Sequence, residues 1–185
     1  MGIVLLVALA FVLLGVIGAA VGIYNHLVQL HFNIDKAWAN IDVILKQRRD
    51  ELPKLVDTCK GYMKYEQALL EKITAARSAF LSASTPDERV KAENEISRAL
   101  KSLFAVAENY PDLKANQGFF QLQGRISSLE SGIADRRELF NESVNLYNIK
   151  IHQFPDLLLA RMMGYAKRQL LEIPSAETSD PKIDL

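Results

Sequence analysis

The apolar and polar positions divide the chain into one uninterrupted apolar stretch and a long region with helical periodicity. Residues 1–34 contain no Asp, Glu, Lys or Arg, and an apolar run covers residues 3–23. A helix needs ~20 such residues to cross the hydrocarbon core of a bilayer, whereas an amphipathic core helix would interleave polar residues. The pattern therefore predicts a transmembrane anchor over residues 1–24.

Processing and orientation follow from the residues that flank this run. A cleaved signal peptide has basic residues before an apolar core of ~7–15 residues, but the chain begins Met1-Gly2-Ile3, and no cysteine lies nearby for lipidation. The first Lys after the run is Lys36, and more basic residues follow it. Because Lys and Arg near a span stay on the cytoplasmic side, we expect the N-terminus outside and the helical domain in the cytoplasm.

After the anchor, apolar residues recur at steps of three and four, which indicates helices packed along one seam. The first of these stretches predicts a helix that continues from the mid-thirties to about Leu81. Pro53 lies inside it and removes one backbone hydrogen bond. We therefore expect a kink near Arg49 but no break, since the apolar pattern keeps its phase.

Capping and proline signals set the remaining boundaries. Thr85 can cap a helix that has Pro86 at its first position, and that helix should stop near Pro111, because a residue before proline avoids helical geometry. A third helix should end at Pro155, and a short fourth helix should cover about residues 156–172.

Three long helices with one apolar stripe each can bury those stripes only against one another. The sequence thus predicts an all-α fold: an N-terminal transmembrane helix, then an elongated antiparallel bundle of three long helices with coiled-coil-like seams, plus a short C-terminal helix. The expected divisions are the anchor at residues 1–24, the bundle domain at 25–173 and a flexible polar tail at 174–185. The predicted structural core consists of Trp38, Ile41, Leu45, Leu52, Leu55, Phe119, Ile126, Ile133, Phe140, Tyr147 and Phe154.

Composition and motifs argue against most chemistry. The 22 basic and 22 acidic residues are interspersed, so the basic face that nucleic acid requires is absent from the pattern. The single Cys59 excludes an intrachain disulfide and falls at an apolar position of the seam. No histidine belongs to the Glu-x-x-His pairs of di-iron bundles, and there is no nucleotide-binding or hydrolase motif. We expect no catalytic, cofactor-binding or metal-binding residues, and no enzyme.

Three charged residues fall at positions where the seams call for apolar ones: Arg48, Glu66 and Arg136. Charges inside a bundle must be paired, so they are candidates for a polar core layer that fixes the register of the helices. The alternative is that these long side chains extend outward beside the seam.

The stretch after Pro155 carries more apolar residues than one seam requires, together with basic ones. Such a helix suits an anionic membrane surface or a partner protein, although it would also suit a cover over one end of the bundle. The candidate residues for a partner or membrane surface are Leu158, Arg161, Met162, Tyr165, Lys167 and Arg168.

A series of motifs extends over nearly the whole chain: Tyr24-Asn25-His26-Leu27-Val28, Ala37-Trp38-Ala39-Asn40-Ile41-Asp42-Val43, Leu45-Lys46, Arg48-Arg49, Leu52-Pro53-Lys54-Leu55-Val56, Lys60-Gly61-Tyr62, Tyr110-Pro111-Asp112-Leu113-Lys114-Ala115-Asn116, Leu122-Gln123, Tyr147-Asn148 and Phe154-Pro155. In this order, the motifs resemble the LemA family of bacterial membrane proteins. The resemblance implies one N-terminal transmembrane helix, an elongated helical domain and a place in the bacterial cell (inner) membrane, and it implies no catalytic residues. Two aromatic exchanges depart from the family pattern, near Phe140-Asn141 and Gly164-Tyr165.

Taken together, these features predict a non-enzymatic single-pass membrane scaffold. Its expected partners are the lipid bilayer, further copies of the chain as a homo-oligomer, and an unidentified membrane protein. The alternative is an adaptor or regulatory subunit of a membrane protease or quality-control system.

Overall fold

The computed structural model describes residues 1–171, and among them it contains six α-helices and no strand. This confirms the all-α class with a long apolar N-terminal helix. The predicted tail at residues 174–185 lies outside the described residues. The helices are α1 (Gly2–Lys60), α2 (Gln67–Ser82), α3 (Pro86–Ala107), α4 (Pro111–Lys114), α5 (Gln117–Lys150) and α6 (Asp156–Met162).

The anchor and the first bundle helix are one continuous helix. α1 runs for 59 residues and passes through Pro53 without ending. It is the one described helix that is long and apolar enough to cross a membrane, and its most apolar window is not buried by the protein. The apolar surface of that window is therefore available to lipid.

The expected extension of this helix to about Leu81 is wrong, because α1 ends at Lys60. The next residue is Gly61, and glycine is a poor helix former. The N–H of Met63 then donates to the carbonyl oxygen of Cys59 at 2.8 Å, and the chain turns before α2 begins. The apolar pattern stays in phase across this turn, so the pattern alone does not reveal that the helix ends here.

The start of α3 is confirmed in detail. The hydroxyl of Thr85 accepts a hydrogen bond from the N–H of Glu88, and the Glu88 side chain accepts one from the N–H of Thr85, which forms a capping box with Pro86 at the first helical position. The backbone N–H groups of Ser84 and Thr85, which both donate to the Glu88 carboxylate, hold the pKa of Glu88 below its usual value. The sequence signal alone was sufficient here because a cap is a local interaction.

The described chain forms two compact units. Unit 2 consists of residues 40–136, in which α2 packs against α3. Its core includes predicted residues from α1 and α5, and Gly132 lets α5 approach Ile44 so closely that a Cβ atom there would lie 2.6 Å from the Ile44 Cδ1 atom. The predicted core residues that are buried in this unit are Ile41, Leu45, Leu52, Leu55, Phe119, Ile126 and Ile133.

Unit 1 consists of residues 1–39 together with residues 137–171. α1 and α5 run antiparallel here, and the half-buried Trp38 meets the buried Phe140 at a ring distance of 5.8 Å. Tyr147 is also buried. Phe154, expected in the core, is instead 79% exposed, because α5 ends at Lys150 and the chain turns away before this position.

Candidate functional site

The candidate functional surface lies in unit 1, where α6 and the residues after it pack beside α5 and the part of α1 that follows the apolar run. We call residues 163–171 the terminal segment. The rings of His31, Tyr147 and Tyr165 form the aromatic cluster.

A glycine ends α6 and redirects the chain. Gly164 has φ of 70°, a left-handed conformation that glycine adopts without a steric penalty. Its N–H donates to the carbonyl oxygen of Arg161 at 3.1 Å, and the N–H of Tyr165 donates to that of Ala160 at 2.9 Å. This is the Schellman motif, and it explains why the fourth helix ends at Met162 rather than near residue 172.

Two asparagines on α5 hold the terminal segment. Asn148 donates to the carbonyl oxygen of Arg168 at 2.9 Å and accepts from the N–H of the same residue at 2.9 Å. Asn141 repeats the arrangement with Leu171, at 3.0 and 2.8 Å. The two asparagines lie seven residues apart, two turns along one face of α5. Their side chains thus replace the hydrogen bonds that a neighbouring strand would supply to this segment.

The aromatic cluster joins the terminal segment to α1. The ring of Tyr165 stacks on that of His31 at 5.2 Å, and Tyr147 lies 6.2 Å from His31 and 5.9 Å from Tyr165. The hydroxyl of Tyr147 donates to the carbonyl oxygen of Ala166 at 3.2 Å. Burial raises the pKa of Tyr147, which keeps the hydroxyl protonated as a donor.

α6 is amphipathic, but its larger apolar side chains do not face the rest of the unit. Asp156 and Ala160 are buried against unit 1, and Asp156 pairs with Lys150 at 3.4 Å. Leu158 and Met162 lie on the opposite side of the helix and are exposed. The helix therefore presents its larger apolar side chains outward.

The six residues predicted as a partner or membrane surface separate into two groups. Tyr165 belongs to the aromatic cluster and is half-buried, while the other five are exposed. Sequence reasoning missed His31, Asn141 and Asn148 as the groups that position this surface. The spacing of the two asparagines was visible, but nothing in the sequence showed which segment they would bind.

The three residues proposed for a polar core layer lie in unit 2, and the structure does not bring them together. Arg48 is buried and forms an ion pair with the buried Glu93. It also pairs with Glu130 at 2.6 Å and donates to the hydroxyl of Ser97 at 3.0 Å. A buried charge is tolerated when its partners surround it in this way. Arg48 therefore joins α1, α3 and α5 within this unit.

Glu66 and Arg136 lie elsewhere in unit 2. Glu66 is half-buried in the turn before α2 and accepts a long hydrogen bond from the Tyr110 hydroxyl at 3.5 Å. Arg136 is half-buried and donates to the carbonyl oxygen of Gly132 on its own helix. The partner that sequence reasoning missed, Glu93, lies three residues before the buried Ile96 and so also falls on a seam.

Within residues 1–171, no group of three or more His, Cys, Asp or Glu side chains is placed to hold a metal ion. Cys59 is buried in unit 2, and burial raises the pKa of its thiol to about 11. A protonated thiol is a poor nucleophile and a poor metal ligand.

Comparison with known proteins finds a match to one protein family. The model of the LemA family matches residues 37–185. A LemA protein of Metamycoplasma hominis is 33% identical over 138 residues, which are 72% of this chain and 62% of that protein.

More distant relatives carry a different name. A magnetosome protein MamQ of Paramagnetospirillum magneticum is 31% identical over 88 residues, which are 47% of this chain and 32% of that protein. MamQ of Magnetospirillum gryphiswaldense is 30% identical over the same length. The matches thus span less than two thirds of the length of these curated relatives.

Proposed function

This chain belongs to the LemA family, and we propose that it acts as a non-enzymatic membrane-anchored scaffold that binds further copies of itself and other membrane proteins. It is a membrane protein, and among residues 1–171 one helix, near the N-terminus, is long and apolar enough to cross a membrane. The names of the relatives, a LemA protein and magnetosome proteins, describe no enzyme. The domain lies on the cytoplasmic side of the inner membrane in this proposal, as the basic residues after the anchor favour.

The observation that carries the proposal is the continuity of α1. In unit 1, the exposed apolar window and the buried Leu27 and Ile34 belong to one helix, and α1 contains no proline before Pro53. A helix has no flexible joint unless its hydrogen bonds are interrupted. Such an anchor suits a protein that holds the surfaces of unit 1 at a fixed distance from the bilayer.

An exposed apolar surface on α5 supports the proposal of self-association. Leu139, Leu146 and Ile149 lie on one side of this helix, in unit 1, and are exposed. Exposed apolar side chains grouped on one face are typical of protein contact surfaces. In a membrane, all copies share one plane and one orientation. Even a small patch on one copy can therefore meet the same patch on another copy repeatedly.

In-cell cross-linking of the full-length protein, followed by affinity purification, tests the proposal. The native chain is compared with a form whose residues 1–24 are replaced by an unrelated span, and with a Leu146→Glu variant. Asn145→Glu is the matched control, because it adds the same charge at the neighbouring exposed position. We expect a ladder of self-cross-links that survives the span exchange and the control and is lost in Leu146→Glu.

Two other results would contradict the scaffold. If the ladder disappears with the span exchange, association belongs to the membrane helix and not to the helical domain. A single heterologous partner without any ladder would instead favour an adaptor or regulatory subunit of a membrane protease or quality-control system. The activity of that partner would then define the function.

A further inference from the structure

We propose that the exposed face of α6 inserts into the headgroup region of the same bilayer that holds the anchor, so that the protein contacts its membrane at two places. We call Phe154, Leu158 and Met162 the outer face of α6. The proposal rests on the membrane anchoring in the proposed function, but it does not depend on self-association. It assigns one occupant to this surface, an anionic lipid leaflet.

The register of the two helices in unit 1 places this face at the height of the lipid. Trp38 meets Phe140, and seven residues back along α1 His31 meets Tyr147, which is seven residues further along α5. The same pairing places Leu27 at the level of Ile151, the first residue after α5, and both are buried. Tyr24 lies about one helical turn before Leu27 on α1.

Tyr24 comes directly after the apolar run of residues 3–23. Tyr and Trp are enriched at this level of a span because their rings suit the membrane–water interface. The turn that begins at Ile151 and leads into α6 therefore lies close to the level where the span leaves the hydrocarbon core. An apolar surface at that level meets lipid without any change in the protein.

The side chains at this level are large, apolar and uncovered. The exposed fractions are 79% for Phe154, 55% for Leu158 and 83% for Met162. Leu158 and Met162 lie four residues apart on α6, Phe154 lies in the turn before it, and the buried Asp156 and Ala160 occupy the other side of the helix. An amphipathic helix that lies in the interface plane presents its apolar side to the acyl chains in this manner.

The charges beside the outer face suit an anionic leaflet. Arg161, Lys167 and Arg168 are exposed, while Asp156 is the one acidic residue between positions 151 and 171 and pairs with Lys150. Basic residues near a membrane surface are attracted to anionic lipids. A protein partner could also satisfy these charges, but the position beside the end of the span favours lipid.

The contacts of the terminal segment hold α6 in place before any lipid is bound. The Schellman motif at Gly164 fixes the exit from α6, and Asn148 and the aromatic cluster fix the chain that follows. A preformed surface binds without the entropic cost of ordering a flexible helix. Insertion then requires only the presence of the bilayer.

Depth-dependent fluorescence quenching tests this inference with the full-length protein in vesicles. Every variant carries Trp38→Phe, and one Trp is introduced by Leu158→Trp. The matched control is Leu139→Trp, since Leu139 is similarly exposed, at 58%, but lies beside Phe140, roughly 20 Å further along the helix pair from the level of Tyr24. Vesicles contain phosphatidylcholine with or without phosphatidylglycerol, and part of the phosphatidylcholine is brominated near the headgroup.

We expect Leu158→Trp to emit at shorter wavelength than the control and to lose most of its emission to the brominated lipid, while Leu139→Trp keeps its emission. Adding Arg161→Gln should reduce the extra quenching that phosphatidylglycerol produces, whereas Lys36→Gln should not. Circular dichroism and a second pair, Met162→Trp against Leu146→Trp, show whether a result reflects altered folding.

Two results would overturn the inference. Equal quenching of Leu158→Trp and Leu139→Trp would mean that α6 does not reach the lipid. A short-wavelength emission from Leu158→Trp that bromine does not quench, and that weakens as the protein is diluted in lipid, would assign the outer face to another copy of the chain. Either result would leave the cross-linking test of the scaffold unaffected.

Discussion

The two units of this protein hold their helices together with different chemistry. In unit 2, a buried Arg48 joins three helices through Glu93, Glu130 and Ser97. In unit 1, which carries the membrane anchor, the contacts include the rings of the aromatic cluster and the neutral amides of the two asparagines, beside the ion pair of Lys150 with Asp156.

The difference shows how position affects the choice of interaction. A buried ion pair fixes which helices meet, because each misplaced charge would be left without a partner. Aromatic and amide contacts carry little net charge, so they function beside a bilayer without favouring one type of lipid. Three basic residues of unit 1, Arg161, Lys167 and Arg168, lie exposed at its surface.

The largest effect is expected at the ion pair of unit 2. Arg48→Met leaves the carboxylate of Glu93 buried without its partner, and breaking a buried pair in this way costs about 3–5 kcal/mol. The free energy of unfolding of the detergent-solubilised full-length protein, measured by denaturant titration, should fall by this amount.

A double variant separates charge pairing from packing. Arg48→Met combined with Glu93→Leu should recover most of the loss, because apolar residues can replace a buried pair at little cost. Arg136→Met is the control at a half-buried arginine and should cost less than about 1 kcal/mol. If Arg48→Met costs no more than Arg136→Met, the ion pair does not hold unit 2 together.

The next prediction concerns Cys59, a buried group in unit 2 that, unlike Arg48, should stay neutral. Burial raises its pKa from 9.0 to about 11, so at pH 8 the thiol should alkylate roughly a hundredfold more slowly than an ordinary one. The protonated thiol favours the folded state. Its contribution to stability is therefore complete below pH 9 and is lost as pH rises through about 11.

The measurement is the alkylation rate by mass spectrometry from pH 7 to 11. The control is an exposed thiol, Ser102→Cys in a Cys59→Ala background. The rate at Cys59 should continue to rise above pH 9, where the rate of the control levels off. Equal rates and equal pH profiles would show that Cys59 is accessible.

In unit 1, replacing both Asn141 and Asn148 with Ala should release the terminal segment. The variant loses four partly exposed hydrogen bonds, and we expect the free energy of local opening to fall by about 2 kcal/mol. Hydrogen exchange at the amides of Arg168 and Leu171 measures this directly. Asn145→Ala, an exposed position on the same helix, should leave that exchange unchanged, and so should Arg48→Met if the two units are held by separate interactions.

The smallest effect is expected at the cap of α3. Thr85→Ala removes the hydroxyl that accepts from Glu88 and should destabilise the protein by about 1 kcal/mol. Ser84→Ala is the control, because the Ser84 contact to Glu88 comes from its backbone N–H. The backbone N–H groups of Ser84 and Thr85 donate to the Glu88 carboxylate and lower its pKa. Their contribution is present near neutral pH and declines as pH falls through that lowered pKa, and both variants keep it because the donors belong to the backbone. A Thr85→Ala variant as stable as Ser84→Ala would contradict a role for the Thr85 hydroxyl.

The sequence by itself determined what local rules control. The apolar run, the helical periodicity, the capping box at Thr85 and the all-α class all depend on residues close together in the chain. Arg48 also stood out, because a charge at a seam position violates the local pattern. The end of α1 at Lys60 was missed, since an unchanged apolar phase does not reveal a change in chain direction.

Only the tertiary structure decided which residues meet. Glu93 pairs with Arg48, Asn148 binds the terminal segment, and Phe154 lies outside the core. Each of these outcomes depends on contacts between residues far apart in the sequence. The same holds for the outer face of α6. The sequence shows that these side chains are apolar. Whether they cover the bundle or face the membrane depends on which side of α6 is buried by the neighbouring residues, and only the packing of the folded chain decides that.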